Sequence, residues 1–215
     1  MLKIYYANIS LLDDEQVFQK VFEKVNIQRR EKVLRCKQKK DQIRSLLTGY
    51  LLRIALEKEG MDYENTSISI LENGKPVLSG NDDLHFSLSH AGEYAVCVIS
   101  NHRIGVDIET KIKSLFLEGK EGKLQAVAQK ILTEKEWKQF NSVKQEEKIK
   151  FFLKTWTRKE SYSKADGRGL GLGLDQVETD SKAFFSKWLD EDTVLSIYVE
   201  DKMFSDLQIE KIAFL

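Results

Sequence analysis

The chain has one proline, two cysteines and three histidines among 215 residues, and no net charge, because 34 basic side chains are matched by 34 acidic ones. Each scarcity excludes something. Pro76 as the single proline and the absence of a Ser/Gly linker argue that the halves of the chain pack together rather than being strung apart. Cys36 and Cys97 lie far apart with no metal-type spacing around either, and both read as structural residues. Zero net charge excludes bulk attraction to nucleic acid or to an anionic membrane and makes every electrostatic argument local. No apolar run approaches bilayer-spanning length, and Met1-Leu2-Lys3-Ile4-Tyr5-Tyr6-Ala7-Asn8 reads as a strand rather than a signal sequence, so the expected location is the cytoplasm. What the sequence does have, 41% hydrophobic residues and 10% aromatics, is enough to bury a substantial core.

Periodicity gives the elements. Asp13 or Asp14 can cap a helix whose Val17, Phe18, Val21, Phe22 and Val25 recur at helical spacing. A longer helix is expected from about Gln28 to Glu59, stopped by Gly60, with Gly49 as a point where it bends or breaks. Strands follow at Ser67–Leu71, Leu84–Ser89, Tyr94–Ser100 and Arg103–Glu109, the second and third joined as a hairpin across Ala91-Gly92-Glu93. The second half repeats this order loosely. It has helices near Lys123–Leu132, Thr133–Phe140 and Glu146–Lys164, the middle one opened by a Thr133/Glu136 capping box, then strands near Asp175–Thr179, Val194–Val199 and Leu207–Phe214. The division falls near residue 103, giving halves 1–103 and 104–215.

Four constellations carry chemistry. Gly105-Val106-Asp107-Ile108-Glu109 ends an apolar strand with carboxylates at i and i+2, on one face and about 7 Å apart. Two hard oxygen donors so placed suit a divalent cation that also takes water and phosphate oxygens; a solvated strand end is the plain alternative. On the helix around Trp156, Ile149, Leu153, Trp156, Glu160 and Lys164 share one stripe that turns from apolar to ionic, as expected where a helix leaves the core and lines a cleft; a surface Glu–Lys pair gives the same pattern. Ser89 and His90 stand at a strand end before a tight turn, where they could hold phosphate oxygens or simply cap the turn. Arg29 to Arg44 contains eight cations against two acids, a local charge of +6, and is where a polyanion would dock unless it is only a solvated face. Gly167 to Gly173 is glycine-rich but follows a helix, so it fits neither a Rossmann turn nor a P-loop; Gly167 suits a helix C-cap instead.

Taken in order, Asn73-Gly74-Lys75-Pro76, Phe86-Ser87-Leu88-Ser89-His90, Gly105-Val106-Asp107-Ile108-Glu109 and Trp156-Thr157-Arg158-Lys159-Glu160-Ser161-Tyr162-Ser163-Lys164 resemble the signature blocks of Sfp-type phosphopantetheinyl transferases. That resemblance implies an α+β fold of two similar halves forming an intramolecular pseudo-dimer, with coenzyme A in the cleft between them. It implies Mg²⁺, or Mn²⁺ in its place, on Asp107, Glu109 and Glu160, with coenzyme A held by Arg29, Lys32, Arg44, Lys75, Ser89, His90 and Lys164. Arg158, where the family often has an apolar or small residue, is expected to face solvent or the protein partner.

The activity implied is transfer of phosphopantetheine from coenzyme A to a serine of an apo acyl or peptidyl carrier protein, with Glu160 as the first choice of base and Lys164 as the alternative. A monomer is expected because both sets of ligands lie on one chain, with no role for nucleic acid or membrane. The competing readings are a metal-dependent phosphodiesterase or nuclease, and a basic nucleic-acid-binding module.

Overall fold

A computed structural model describes residues 1–111, 121–167, 173–201, 204 and 207–212. The first half runs β1 (Leu2–Asn8), a 3₁₀ turn, α1 (Glu15–Glu23), α2 (Ile27–Arg35), α3 (Lys39–Lys58), β2 (Ile68–Ile70), β3 (Pro76–Leu78), β4 (His85–Ala91) and β5 (Tyr94–Ser100). The second runs β6 (Ile104–Thr110), α4 (Glu121–Ile131), α5 (Glu134–Ser142), α6 (Gln145–Asp166), a 3₁₀ turn at Leu174–Gln176, β7 (Phe184–Trp188), β8 (Thr193–Val199) and β9 (Gln208–Lys211). The architecture is mixed α+β. One sheet has the order β4-β5-β1-β9, a second β6-β8-β7, and β2 and β3 form a separate hairpin.

The strand β5 shows why the sheets stack. Its side chains alternate, and both faces are buried. Ala95, Cys97 and Ile99 join the core under α1 to α3, while Val96 and Val98 join Leu2 and Ile4 in a second core with Ile104, Val106, Ile108, Leu195, Ile197 and Val199 of the other sheet. Each buried Val, Leu or Ile contributes about 1.5–3 kcal/mol relative to exposure, so the shared core binds the halves firmly. At the seam, Ser87 Oγ accepts the Val106 N–H at 3.0 Å, giving a buried backbone donor a partner where no ladder supplies one. A smaller core gathers Leu124, Ala128, Leu132, Phe140 and Phe152 from α4, α5 and α6.

Local signals are realised as follows. Asp14 caps α1, accepting from the N–H groups of Gln16 and Val17 at 2.8 and 3.0 Å. Thr133 and Glu136 form the reciprocal capping box of α5. Gly167 ends α6 in the left-handed region at φ +89°, its N–H bonded to Ser163 O.

Three expectations are corrected. The single helix of Gln28–Glu59 is two, because Cys36 is extended and Gln42 reaches back to its carbonyl, which lets α2 turn onto α3. Gly49 does not break α3, which is continuous through it. The segment Asp175–Thr179 is not a strand: its start lies in the 3₁₀ turn, with Gln176 N on Gly173 O and Val177 N on Leu174 O, and side chains meet other groups, Lys159 Nζ on the carbonyls of Leu174 and Val177 and Glu136 Oε1 accepting from Thr179 N. The strand lies later, at β7. The closing strand is shorter than expected, and of its predicted span residues 213 and 214 lie outside the described residues, as do 168–172 of the glycine-rich loop.

Candidate active site

The site forms where β6 and α6 touch. Gly105 permits the approach: a Cβ built there would stand 1.9 Å from Ser161 O and 2.5 Å from Ala165 N, both backbone atoms of α6. This contact sets Asp107 and Glu109 of β6 opposite Glu160 and Lys164 of α6. Ile108, between the two acids, is buried in the shared core, as period-2 alternation requires.

Asp107 is buried. Its Oδ1 accepts from Lys164 Nζ at 2.6 Å and Ser89 Oγ at 3.0 Å, and the same ammonium donates to Ser89 Oγ at 2.9 Å. Its other oxygen, Oδ2, is buried with no hydrogen-bond partner among the described residues. Glu109 is pushed up to about 7, first by burial and next by the Asp107 charge, against an opposing hydrogen bond with Trp156. Burial and then Asp107 also raise Glu160. Two carboxylates that hold protons too tightly and an orphaned third oxygen are what a hard dication relieves, so the donor set fits Mg²⁺. As these side chains stand, no group of three or more His, Cys, Asp or Glu among the described residues forms a ready cage.

Facing the acids is a wall of cations. A cleft of about 930 Å³ is lined by Arg29, Lys32, Ser89, His90, Asp107, Glu109 and Lys164 among others. Burial lowers the proton affinity of Arg29 and of Lys32, and Arg29 lowers that of Lys32 further. The cleft walls around His90, and then Arg44, Lys164 and Lys32, disfavour its imidazolium in the same way. Like charges crowded at a desolvated wall suit an anionic ligand.

Of the residues singled out from sequence, Arg29, Lys32, Ser89, His90, Asp107, Glu109 and Lys164 line the large cleft. Glu160, Lys75 and again Lys164 line an adjoining cavity of about 270 Å³. Lys75 Nζ donates to Ala165 O at 2.7 Å, and burial holds it down to about 8. Arg44 is outside both linings: its guanidinium donates to Gly92 O at 2.9 Å and pairs with Asp41 at 2.8 Å. Arg158, expected to face solvent or the protein partner, is half-buried and donates to Ser186 Oγ and Thr179 O.

Sequence reading passed over Ser45 and Thr48, cleft-lining neighbours of Arg44 on α3, because hydroxyls on a core-facing helix carry no distinguishing pattern. It also passed over the Lys159–Glu136 pair, buried at 0% and 5% side-chain exposure with Nζ 2.7 Å from Oε2. That pair ties the start of α5 and the Leu174–Thr179 segment to the turn of α6 that carries Glu160.

Comparison with known proteins gives the family. Residues 103–210 match the model of the 4′-phosphopantetheinyl transferase superfamily, and residues 13–102 that of the 4′-phosphopantetheinyl transferase N-terminal region. The chain belongs to the 4′-phosphopantetheinyl transferase superfamily, and within it to the Sfp type. Among its relatives, 4′-phosphopantetheinyl transferase Sfp of Bacillus subtilis strain 168 is 30% identical over 203 residues, 93% of this chain and 82% of the relative. A second 4′-phosphopantetheinyl transferase of Bacillus subtilis is 32% identical over 178 residues, 82% of this chain and 72% of the relative. The human L-aminoadipate-semialdehyde dehydrogenase-phosphopantetheinyl transferase is 29% identical over 178 residues, 78% of this chain and 55% of its own.

Proposed function

We infer that this enzyme transfers the 4′-phosphopantetheine group from coenzyme A to a serine of an apo acyl or peptidyl carrier protein, giving the holo carrier and 3′,5′-ADP. The observation that carries the reading is the orphaned Oδ2 of Asp107 beside two carboxylates of raised proton affinity, across a cleft from a cation wall. Pyrophosphate needs both sides: cations to clamp it and a dication between it and the acids. Asp107, Glu109 and Glu160 would hold Mg²⁺, with Mn²⁺ able to use the same oxygens. When bound, the ion neutralises pyrophosphate charge and acts as a Lewis acid.

The rest is work for the chain's own groups. Arg29, Lys32 and His90 bind phosphate oxygens away from the reacting centre, and Ser89 with Lys164 positions the phosphate under attack. The serine oxygen bonds to the β-phosphorus as the bond from that phosphorus to the bridging oxygen breaks, and the electron pair leaves with 3′,5′-ADP. Lys164 already donates to Asp107 and Ser89, which favours its role as a charged clamp. Glu160, with raised proton affinity and a face on the adjoining cavity, is the better acceptor of the serine proton, directly or through water. Lys75 lies near the adenosine end, and Arg44 acts on the cleft through His90.

Each half of the chain, 1–103 and 104–215, supplies one side of this site, so the working unit is a monomer. No helix among the described residues is long and apolar enough to cross a membrane, and the proposed location is the cytoplasm. Neither the nuclease nor the nucleic-acid-binding reading has support from the relatives. The test is intact-protein mass spectrometry of apo carrier proteins of the fatty-acid, polyketide and nonribosomal-peptide types, incubated with this protein, coenzyme A and Mg²⁺. A gain of one phosphopantetheine that EDTA abolishes is expected; no gain on any carrier would overturn the reading.

A further inference from the structure

Glycine is a poor choice for the interior of a helix, since it gives up backbone freedom and packs nothing. Gly49 nevertheless sits buried in the middle of α3, and its φ is not positive. The reason for glycine is Arg29. A Cβ built on Gly49 would stand 2.5 Å from Arg29 Nε and 2.6 Å from both Cδ and Cγ. The stem of the side chain, not only its tip, lies across the glycine, so rotating the guanidinium would not clear the clash. The base of Arg29 is also fixed, because its N–H donates to the capping Asn26 Oδ1 at 2.9 Å. The gap at Gly49 is therefore what lets the side chain cross α3 to the cleft.

At the far end of that path the guanidinium has no matched partner among the described residues. Its Nη1 reaches Ser45 O only at 3.5 Å. The groups that oppose the effect of burial on its charge are Tyr63 and Cys97, not a carboxylate. Beside it Ser45 Oγ, from a residue that lines the cleft, is buried with no hydrogen-bond partner among the described residues. A desolvated cation without a counter-ion and a free buried hydroxyl make an incomplete anion seat.

We propose that Gly49 is a positioning residue for coenzyme A recognition: the missing side chain sets Arg29 in the cleft and thereby fixes the preference for a ligand that ends in a phosphate monoester. This rests on the coenzyme A reading above. Gly49 lines neither cavity, so it governs affinity and selectivity and not the chemical step.

The experiment is calorimetric titration of the full-length protein with coenzyme A and with 3′-dephospho-coenzyme A, for the wild type, Gly49→Ala, Arg29→Ala and the double variant. Wild type is expected to prefer coenzyme A, and Gly49→Ala to lose about tenfold of that preference, the size of one charge-assisted hydrogen bond. The variant should stay folded at the titration temperature, the helix propensity of alanine offsetting part of the packing lost as the whole Arg29 side chain swings away. In turnover, KM for coenzyme A should rise while kcat holds. Added to Arg29→Ala, Gly49→Ala should change nothing further.

Retention of wild-type preference by Gly49→Ala would overturn the proposal, and so would a loss that adds to that of Arg29→Ala. A wild type that binds both ligands alike would overturn this inference alone. One that binds neither would overturn the coenzyme A reading and this inference with it.

Discussion

Asp107 carries more of the site than any other side chain, since one oxygen gathers Lys164 and Ser89 and the other is left for a ligand. Asp107→Ala is expected to cut transfer by about 10²–10³-fold or more, the usual loss when an electrostatic anchor of phosphoryl transfer is removed. The fold should survive, because the same change relieves repulsion with Glu109 and Glu160. Carrier mass gain per minute beside a circular-dichroism melt checks both halves, and near-normal turnover would remove Asp107 from the site. Lys75 supports a pH prediction. Its folded-state value is depressed to about 8 from an ordinary 10.5, chiefly by burial. Between those values the unfolded chain binds more protons than the folded one, so this residue's contribution to stability rises with pH from about 8 to 10.5. The neutral amine still donates to Ala165 O. In urea titrations at pH 7.5 and pH 10, Lys75→Met should lack the part of the pH response that wild type shows; an identical response in both proteins would show that the buried ammonium carries no such cost.

At the scale of elements, the decisive contact is backbone on backbone between β6 and α6. Neither Ser161 O nor Ala165 N can turn away as a side-chain tip can, so Gly105→Ala must push α6 off the sheet. The cost should be about 3 kcal/mol, at the upper end for overpacking, and should appear as a lower urea midpoint. Because Asp107 and Glu109 ride on one element and Glu160 and Lys164 on the other, transfer should fall further than unfolding alone explains, measured where the variant is still folded. Full activity at wild-type stability would show that the contact is not needed. The buried Lys159–Glu136 pair holds the same helix from its other side, through α5 and the Leu174–Thr179 segment. Together they fix the rotation of α6, which decides whether Glu160 faces the adjoining cavity.

The whole molecule should unfold as one unit. Leu2, Ile4, Val96 and Val98 from the first half and Ile104, Val106, Ile108, Leu195, Ile197 and Val199 from the second form a single core. In addition β9, from the end of the chain, pairs in parallel with β1 at its beginning. Calorimetry should therefore give one transition whose calorimetric and van't Hoff enthalpies agree; two resolved transitions would mean that the halves are separable. Cleft formation is coupled to the same core, since Ser89 and His90 come from β4 and Asp107 and Glu109 from β6.

By itself, the sequence determined what local physics decides. The caps at Asp14, Thr133 and Gly167 are satisfied within a few residues of themselves, so their chemistry is readable in order along the chain. The Asp107/Glu109 pair follows from strand alternation, and the Glu160/Lys164 stripe from helical period. Distances between elements were not readable. No pattern announces that Cys36 is extended and splits a helix, or that Leu174–Thr179 uses the side chains of Lys159 and Glu136 in place of a sheet partner. The order of signature blocks pointed to coenzyme A and its cation ligands, but only tertiary packing turned Arg44 to Gly92 and Asp41, exposed the roles of Ser45 and Thr48, and laid Arg29 across Gly49. Local hydrogen bonds close within one turn and are encoded by neighbours; a cleft is encoded by backbone approach between residues such as Gly105 and Ser161, whose separation in sequence hides their contact.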